Sequence, residues 1–318
     1  MMVRDAVIAI DTSNYTTSVA LMTTGGELIA NLKEMLSVKP GERGLRQSDA
    51  VFAHTVNLPK LMVRAKEYLH ECRIVAVGVS EKPRNQEGSY MPCFLSGVAA
   101  AEAIATVHNV PLFKFSHQCG HIMAAVYSSG REDLLYGDFA AFHVSGGTTE
   151  LVRVTPCDSG FLTEIVGGTK DLNAGQAIDR IGVSMGLPFP AGASLEKLAL
   201  ENTKPVPKKK IASGDTYLNL SGLENMASAL YRDTEDKSLV AAFLFDYVGR
   251  ALALMSDAYE NKYGKTPFVY AGGVMCNSII KKMLSSGRDC AFAEPMMSAD
   301  NAVGIAALTV KAYNTEKK

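Results

Sequence analysis

The sequence carries no Cys-x-x-Cys pair. Its six cysteines, Cys72, Cys93, Cys119, Cys157, Cys276 and Cys290, are scattered, which argues against a disulfide framework and for reduced thiols in a cytoplasmic protein. No uninterrupted apolar run reaches the roughly 18 residues of a membrane span, so no membrane partner is expected. No signal-peptide pattern opens the chain: a strand pattern begins almost at once behind the charged Arg4 and Asp5. Net charge is also missing. Lys plus Arg number 32 against 33 Asp plus Glu, a formal charge of −1, so there is no global attraction to nucleic acid or membrane. An RNA partner needs a local patch. The one basic cluster, Lys204, Lys208, Lys209 and Lys210, is interrupted by Pro205 and Pro207 and reads most simply as a solvated loop.

What is present is apolar material, 47% of 318 residues, enough for a core in each of two domains. Near the middle, Phe139 to Val144 is an apolar run. It enters Ser145-Gly146-Gly147-Thr148-Thr149, and an alternating run, Glu150 to Val154, leaves it. The pattern predicts strand, tight turn, strand. The two glycines lack Cβ atoms and permit positive φ. The hydroxyls of Ser145, Thr148 and Thr149 suit phosphate oxygens, as they would suit an ordinary hairpin turn. A second copy lies near the N-terminus: Ala6 to Ile10, then Asp11-Thr12-Ser13-Asn14-Tyr15-Thr16-Thr17, then Ser18 to Met22. Two such units about 135 residues apart predict a duplicated lobe. Two hydroxyl-rich turns facing each other would hold the phosphates of one nucleotide.

The remaining pattern alternates strands and helices. A loop is expected over 33–48 and a helix from Ala50 to Cys72, bent or split by Pro59. A buried strand at Ile74–Val79 leads to a charged loop, Ser80–Pro92, and then an Ala-rich helix, Phe94–Val107. Val166 to Asp171 reads as a loop and Gln176–Met185 as a helix. A long helix at Ser238–Tyr259, apolar nearly all round, is expected to be buried. Buried strands separated by helices imply an α/β protein.

Three places carry chemistry. Ser116 is a plausible N-cap, so His117 and His121 fall at i and i+4 on one helix face. Two imidazoles so placed share a metal if a third, distant ligand joins them; otherwise they are ordinary hydrogen-bonded or exposed histidines. Cys119 points to the other side of that helix. Asp179, among Ala177, Ile178, Ile181 and Val183, either takes a ligand hydroxyl or pairs with Arg180 or solvent. Asp300 precedes the last helix, where a capping role is the simplest one. Gly272-Gly273, between a strand and a helix near Ser278, lets a flat ring or ribose approach the backbone.

Taken in order, AIDTSNYTTSVAL, SHQCGH, HVSGGTTEL, GGTKDLNAGQAIDRIGVSMGLPFPAG, LNLSGLE, YAGGVMCN and SADNAVGIA resemble the TsaD-like threonylcarbamoyl transferases. That family was long labelled Gcp or O-sialoglycoprotein endopeptidase, and it belongs to the actin and sugar-kinase superfamily. The likeness covers nearly the whole chain. It implies two lobes, here 1–136 and 137–318, of a duplicated, ribonuclease H-like α/β fold, with the last helix packing back on the first lobe and a nucleotide cleft between lobes. It also implies transfer of threonylcarbamoyl from threonylcarbamoyl-adenylate to N6 of adenosine 37 in tRNA. The implied cofactors are a divalent metal, iron or zinc, and an adenylate or ATP. The implied partners are tRNA, an adenylate-forming enzyme and accessory family proteins; whether the chain forms a homo- or heterodimer is left open by the sequence.

By the same resemblance His117, His121 and Asp300 are metal ligands, and Asp11 is an acid facing the reacting centre. Val144, Ser145, Gly146 and Gly147 are phosphate and acyl contacts. Asp179 and Gly192 are ribose-side contacts, and Asn277 is a further nucleotide contact. The chain departs from the family pattern in the Gly-rich loop expected near residues 80–95, where it has Glu81-Lys82-Pro83-Arg84-Asn85-Gln86-Glu87-Gly88, and at four single positions. Cys119 stands where the family has Glu, Thr148 where it has His, Leu172 where it has Asp, and Gln176 where it has Glu. Those departures define an alternative, a non-catalytic or regulatory nucleotide-binding paralogue that pairs with a true member. The endopeptidase label finds no support, because HxxxH without the HExxH glutamate lacks a general base beside the ligands. A sugar kinase is compatible with the fold alone.

Overall fold

A computed structural model describes residues 3–37, 45–158, 160–212, 215–298 and 300–317. The chain forms two units. One is Met1–Leu135 with Thr155–Thr163 and Ala299–Lys318, and the other is Tyr136–Val154 with Glu164–Ser298. The first begins β1 (Arg4–Thr12), β2 (Thr16–Thr23), β3 (Leu28–Met35), α1 (Gln47–Leu69) and β4 (Cys72–Lys82), and continues α2 (Phe94–His108), β5 (Leu112–Ser116) and α3 (His117–Ser128). The middle of the chain supplies β6 (Phe139–Val144), β7 (Thr149–Cys157), β8 (Gly160–Thr169), α4 (Ala174–Ser184), α5 (Gly192–Glu201) and β9 (Tyr217–Leu218). It then adds α6 (Ser221–Thr234), α7 (Lys237–Tyr263), β10 (Phe268–Ala271), α8 (Ser278–Leu284), β11 (Cys290–Phe292) and α9 (Pro295–Ser298). The last helix, α10 (Val303–Glu316), belongs to the first unit.

The first sheet has the order β3-β2-β1-β4-β5. Three antiparallel strands are followed by two that run parallel to β1. In the second sheet, β11-β10-β6-β7-β8-β9, the succession repeats: three consecutive strands beside two, β10 and β11, that run parallel to β6. The expected duplication is therefore a duplication of topology, with β9 added outside.

The central runs of β1 and β2, Ala6–Ile10 and Val19–Met22, are apolar at every position because both faces of the first sheet are covered. Ala6, Ile8, Ile10, Val19 and Leu21 pack with Leu58, Leu61 and Ala65 of α1 and Ala101 of α2. Val7, Ala9, Ala20 and Met22, one residue out of phase, are equally buried. They face the other way, where α10 lies against β1, β2 and β4. In the second unit α7 fills the core of its sheet with Val240, Phe243, Leu244, Val248 and Leu252. Among the described residues α7 is the one helix long and apolar enough to span a membrane, and 72% of its apolar window is buried.

Several expectations are corrected. α1 is one helix, Gln47–Leu69, with Pro59 inside it, so Pro59 does not split it. Pro59 is exposed, so the carbonyl its ring deprives of a donor, four residues back, faces water, while Asn57, Leu58, Leu61 and Ala65 hold the inner face. Gly167 and Gly168 sit inside β8 rather than in a loop. A Cβ on Gly167 would lie 2.4 Å from the Thr216 carbonyl oxygen, and one on Gly168 would lie 2.7 Å from that of Thr149. Glycine there permits close strand approach. The loop expected over 33–48 is shortened by β3 and α1, and its residues 38–44 lie outside those described. The loop expected from Ser80 begins only after β4 ends at Lys82.

Candidate metal centre

The site in the first unit is built from the start of α3. Ser116 caps the helix, its Oγ accepting from the Cys119 N–H at 3.2 Å, and the Gln118 N–H donates to the Pro83 carbonyl at 3.0 Å. His117 is thus the first helical residue, and His121 lies one turn on. α10 crosses α3 at two glycines. A Cβ on Gly304 would lie 1.8 Å from the Gly120 carbonyl oxygen, and one on Gly120 would lie 2.9 Å from Ile305 Cδ1. Only this backbone-to-backbone approach brings the segment before α10 up to the histidines. The capping role open to Asp300 is filled by Asn301, whose Oδ1 accepts from the Val303 N–H at 3.0 Å. Asp300 turns to α3 instead.

Three donor atoms converge. His117 Nε2 and His121 Nε2 are 3.0 Å apart. Asp300 Oδ1 is 3.1 Å from His121 Nε2 and 3.5 Å from His117 Nε2. A cation bound at about 2.0–2.2 Å by each donor requires neighbouring donors roughly 2.9–3.6 Å apart, the spacing found. Two ring nitrogens at that separation must also have a proton or a cation between them. The donor set therefore fits a divalent metal, with nitrogen and oxygen ligands suited to zinc or iron. Burial opposes charge on His117. The carboxylates of Asp11 and Asp300 outweigh it and hold the imidazole well above its usual pKa. Burial likewise pushes Asp300 up, but hydrogen bonds from His117 and His121 hold it well below the usual carboxylate range.

Asp11 does not face this centre as an open acid. Its side chain is 1% exposed. Both carboxylate oxygens lie 3.0 Å from His117 Nδ1, and Oδ1 also accepts from Ser80 Oγ. The reason is position: Asp11 lies near the end of β1, beside β4 and behind the imidazole. Three hydroxyls of the first turn are engaged elsewhere. Thr12 Oγ1 accepts from the Gly97 N–H at 3.2 Å, and Thr17 Oγ1 meets His54 Nδ1 at 2.8 Å. Ser13 Oγ donates to Asp300 Oδ2 at 2.5 Å. His54 is buried on α1, its Nε2 2.8 Å from the Ser13 carbonyl oxygen, and burial holds its pKa down. Cys119 stands apart from the ligand set, with Asn85 Nδ2 at 3.2 Å and the Phe161 carbonyl at 3.7 Å.

In the second unit the Ser145–Thr148 turn is closed by the Ser145 N–H donating to the Thr148 carbonyl at 2.8 Å. Backbone presses on it from behind. A Cβ on Gly175 would meet the Ser145 carbonyl oxygen at 2.5 Å, and one on Gly272, whose φ is +97°, would meet that of Val144 at 2.3 Å. Gly146 and Gly147 do not take positive φ, and a Cβ on either meets nothing within 4 Å. Thr149 Oγ1 accepts from the Ala174 N–H at 2.9 Å and so anchors α4.

Asp179 accepts from the Ala191 N–H at 2.8 Å, while Arg180 pairs with Glu224. Gly192 is the first residue of α5, and a Cβ added there would meet Ile178 Cγ2 at 3.9 Å, an ordinary contact. Asn277 caps α8 through Oδ1 at 3.0 Å from the Ile280 N–H, and its buried Nδ2 has no partner. Leu172 is packed in the core, and Gln176 is exposed. Sequence reasoning missed Ser80, which carries no motif, and placed Ser13 in a phosphate turn rather than on Asp300.

The two-sheet arrangement is an α/β fold of the actin- and sugar-kinase-like kind. Solved structures agree on the fold. HypF from T. kodakarensis matches with a TM-score of 0.67 at 12% identity, over 99% of this chain and 48% of that one, so this chain spans about half its length. A ROK family glucokinase from Streptomyces griseus, in complex with glucose and AMPPNP, matches with a TM-score of 0.52 at 12% identity over 96% of this chain and 99% of that one.

The model of the TsaD family, tRNA N6-adenosine threonylcarbamoyltransferase, matches residues 29–307. A Streptococcus suis (strain 05ZYH33) relative of that name is 30% identical over 99% of this chain and 95% of its own length. One from Streptococcus sanguinis (strain SK36) is 30% identical over 98% and 93%. The chain belongs to the TsaD family, a family of acyltransferases.

Proposed function

We propose that this chain moves a threonylcarbamoyl group from threonylcarbamoyl-adenylate to N6 of adenosine 37 in tRNA, with iron or zinc held by His117, His121 and Asp300. The single observation that carries the reading is the convergence of those three donor atoms at 3.0, 3.1 and 3.5 Å. When bound, such a cation supplies Lewis-acid polarisation of the carbonyl that is attacked. The rest falls to the chain's own groups. Gly146 and Gly147 leave the outer side of the Ser145–Thr148 turn open, so its main chain accepts close approach of a phosphate with the Val144 strand end behind it. Donors held at a phosphate stabilise the leaving adenylate. Asp179 with Gly192 suits ribose hydroxyls, and the unpartnered Asn277 Nδ2 is a donor awaiting an acceptor.

The four departures support a second reading, a nucleotide-binding paralogue without activity that pairs with a true member. Gln176 and Thr148 carry it. Cys119 and Leu172 bear on it less, since Cys119 is engaged with Asn85 and Phe161, and Leu172 is in the core. One experiment separates the readings: incubation with threonine, bicarbonate, ATP, the adenylate-forming enzyme, accessory family proteins and unmodified tRNA. Modified adenosine that disappears in His117→Ala, together with loss of stoichiometric iron or zinc, is the expected result. No product where a proven member works leaves the paralogue reading standing, and undiminished metal in His117→Ala refutes the ligand set.

A further inference from the structure

Two side chains around the three donors are built to aim them and have no other evident task. Asp11 is a buried carboxylate, and a carboxylate only accepts hydrogen bonds. With both oxygens 3.0 Å from His117 Nδ1, the proton of the neutral imidazole that ligation requires belongs on Nδ1, and the Nε2 lone pair is the one presented toward His121 and Asp300. Ser80 Oγ donates to the same carboxylate and holds its plane. Ser13 does the corresponding job for Asp300. Its hydroxyl lies 2.5 Å from Oδ2 but 3.3 Å from the Thr16 carbonyl oxygen, and the short, charge-assisted bond wins that competition. With Oδ2 so occupied, Oδ1 is the oxygen turned to His121 Nε2.

Ser13 is itself fixed at both main-chain ends. Its N–H donates to the Thr16 carbonyl at 3.1 Å, and its carbonyl oxygen meets buried His54 at 2.8 Å.

We propose that Asp11 and Ser13 are positioning residues of the metal centre, Asp11 selecting the His117 tautomer that ligates through Nε2 and Ser13 holding Asp300 to a single ligating oxygen, Oδ1. This rests on the metal reading given above. Outer-sphere partners of this kind typically carry about 10–100-fold in metal affinity.

The test uses the full-length chain stripped of metal and titrated with Co²⁺, read by visible d–d absorption, with Zn²⁺ competition for affinity. The variants are Ser13→Ala and Asp11→Asn. Ser18→Ala is the comparison, since it removes an equally buried hydroxyl that donates to the Asp11 main-chain oxygen at 3.1 Å rather than to a ligand. Expected are one Co²⁺ per wild-type chain, affinity lowered about 10–100-fold with an altered band shape in Ser13→Ala and Asp11→Asn, and Ser18→Ala close to wild type. Wild-type affinity and band shape in both variants overturn the proposal while the metal site stands. Equal weakening in Ser18→Ala overturns it as a general packing effect. A wild-type chain that takes up no Co²⁺ removes the site and this proposal together. Thermal melts of the metal-free variants separate loss of aim from loss of fold.

Discussion

The sharpest perturbation is one methyl group on α10. In an exposed helix, Gly→Ala stabilises by about 1 kcal/mol through propensity alone. At Gly304 the added Cβ would lie 1.8 Å from the Gly120 carbonyl oxygen, 2.7 Å from its carbon and 2.8 Å from the Ala124 nitrogen. All three neighbours are backbone atoms of α3, so no rotamer relieves the contact. Restoring van der Waals separation asks α3 and α10 to part by more than about 1 Å. Overpacking of this kind costs about 1–3 kcal/mol or more, which outweighs the propensity gain. A net loss of about 2 kcal/mol lowers the melting temperature by roughly 4–8 °C for a unit of this size.

The functional consequence is larger than the stability one. Coordination tolerates only about 0.2 Å of ligand displacement, and α10 carries Asp300 on its leading segment. Gly304→Ala is expected to lose most of its metal while remaining folded. Gly120→Ala, on the same crossing, crowds the Ile305 side chain, Cδ1 at 2.9 Å and Cγ1 at 3.2 Å, rather than backbone, so it should cost less than Gly304→Ala, about 1 kcal/mol, and keep its metal. Melts by circular dichroism and metal content by mass spectrometry read both quantities. A Gly304→Ala chain that melts within 2 °C of wild type, roughly the resolution of such shifts, and keeps full metal would refute the close-crossing argument.

Two further expectations concern protons. His117 is held above its usual value despite burial, by Asp11 and Asp300, and Asp300 is held below its usual value despite burial, by the two histidines. The histidine contribution to stability is complete below about pH 6.5 and is lost as pH rises through the raised value. The Asp300 contribution is complete above about pH 3.9 and is lost as pH falls through the depressed value. The metal-free chain should therefore gain most from this site between about pH 4 and 6.5 and weaken on the alkaline side, while metal affinity rises with pH because ligation needs neutral imidazoles. A wild-type minus His117→Gln melting difference that is flat with pH contradicts this. Burial pushes the Cys93 thiol up to about 11 and raises Cys119 as well, so at pH 8 both should alkylate only on unfolding. Mass-spectrometric detection of labelled Cys93 in the native chain counts against the packing described.

Much of the fold was legible because it rests on local periodicity. The β1–β2 and β6–β7 hairpins and the buried α7 follow from runs of apolar residues, whose period and length differ between strand and helix. What was not legible depends on neighbours distant in sequence. Gly167 and Gly168 have the composition of a loop, and only the approach of Thr216 and Thr149 makes them strand residues. Pro59 has the signature of a break, and only the packing of one helix face against the first sheet overrides it. Gly304 looks like an ordinary glycine in an Ala-rich helix until Gly120 is set beneath it.

The same division runs through the site. The His117–His121 pair is a matter of spacing on one helix, while Asp300 joined it only through resemblance to a family. The outer contacts have a topological cause that becomes clear once strand order is known. β1, β4 and β5 are neighbours and run parallel, so their carboxyl ends lie side by side. Asp11 lies near the end of β1, Ser80 near the end of β4, and Ser116 ends β5 and hands directly to His117. In α/β sheets this edge is where ligands are met. A polar residue closing an otherwise apolar parallel strand is therefore a stronger site signal than its motif, because burial there is costly unless the side chain is given a partner. Asp11, Ser80 and His117 are one another's partners, and Asp300, brought in by the α3–α10 crossing and pinned by Ser13, completes the set.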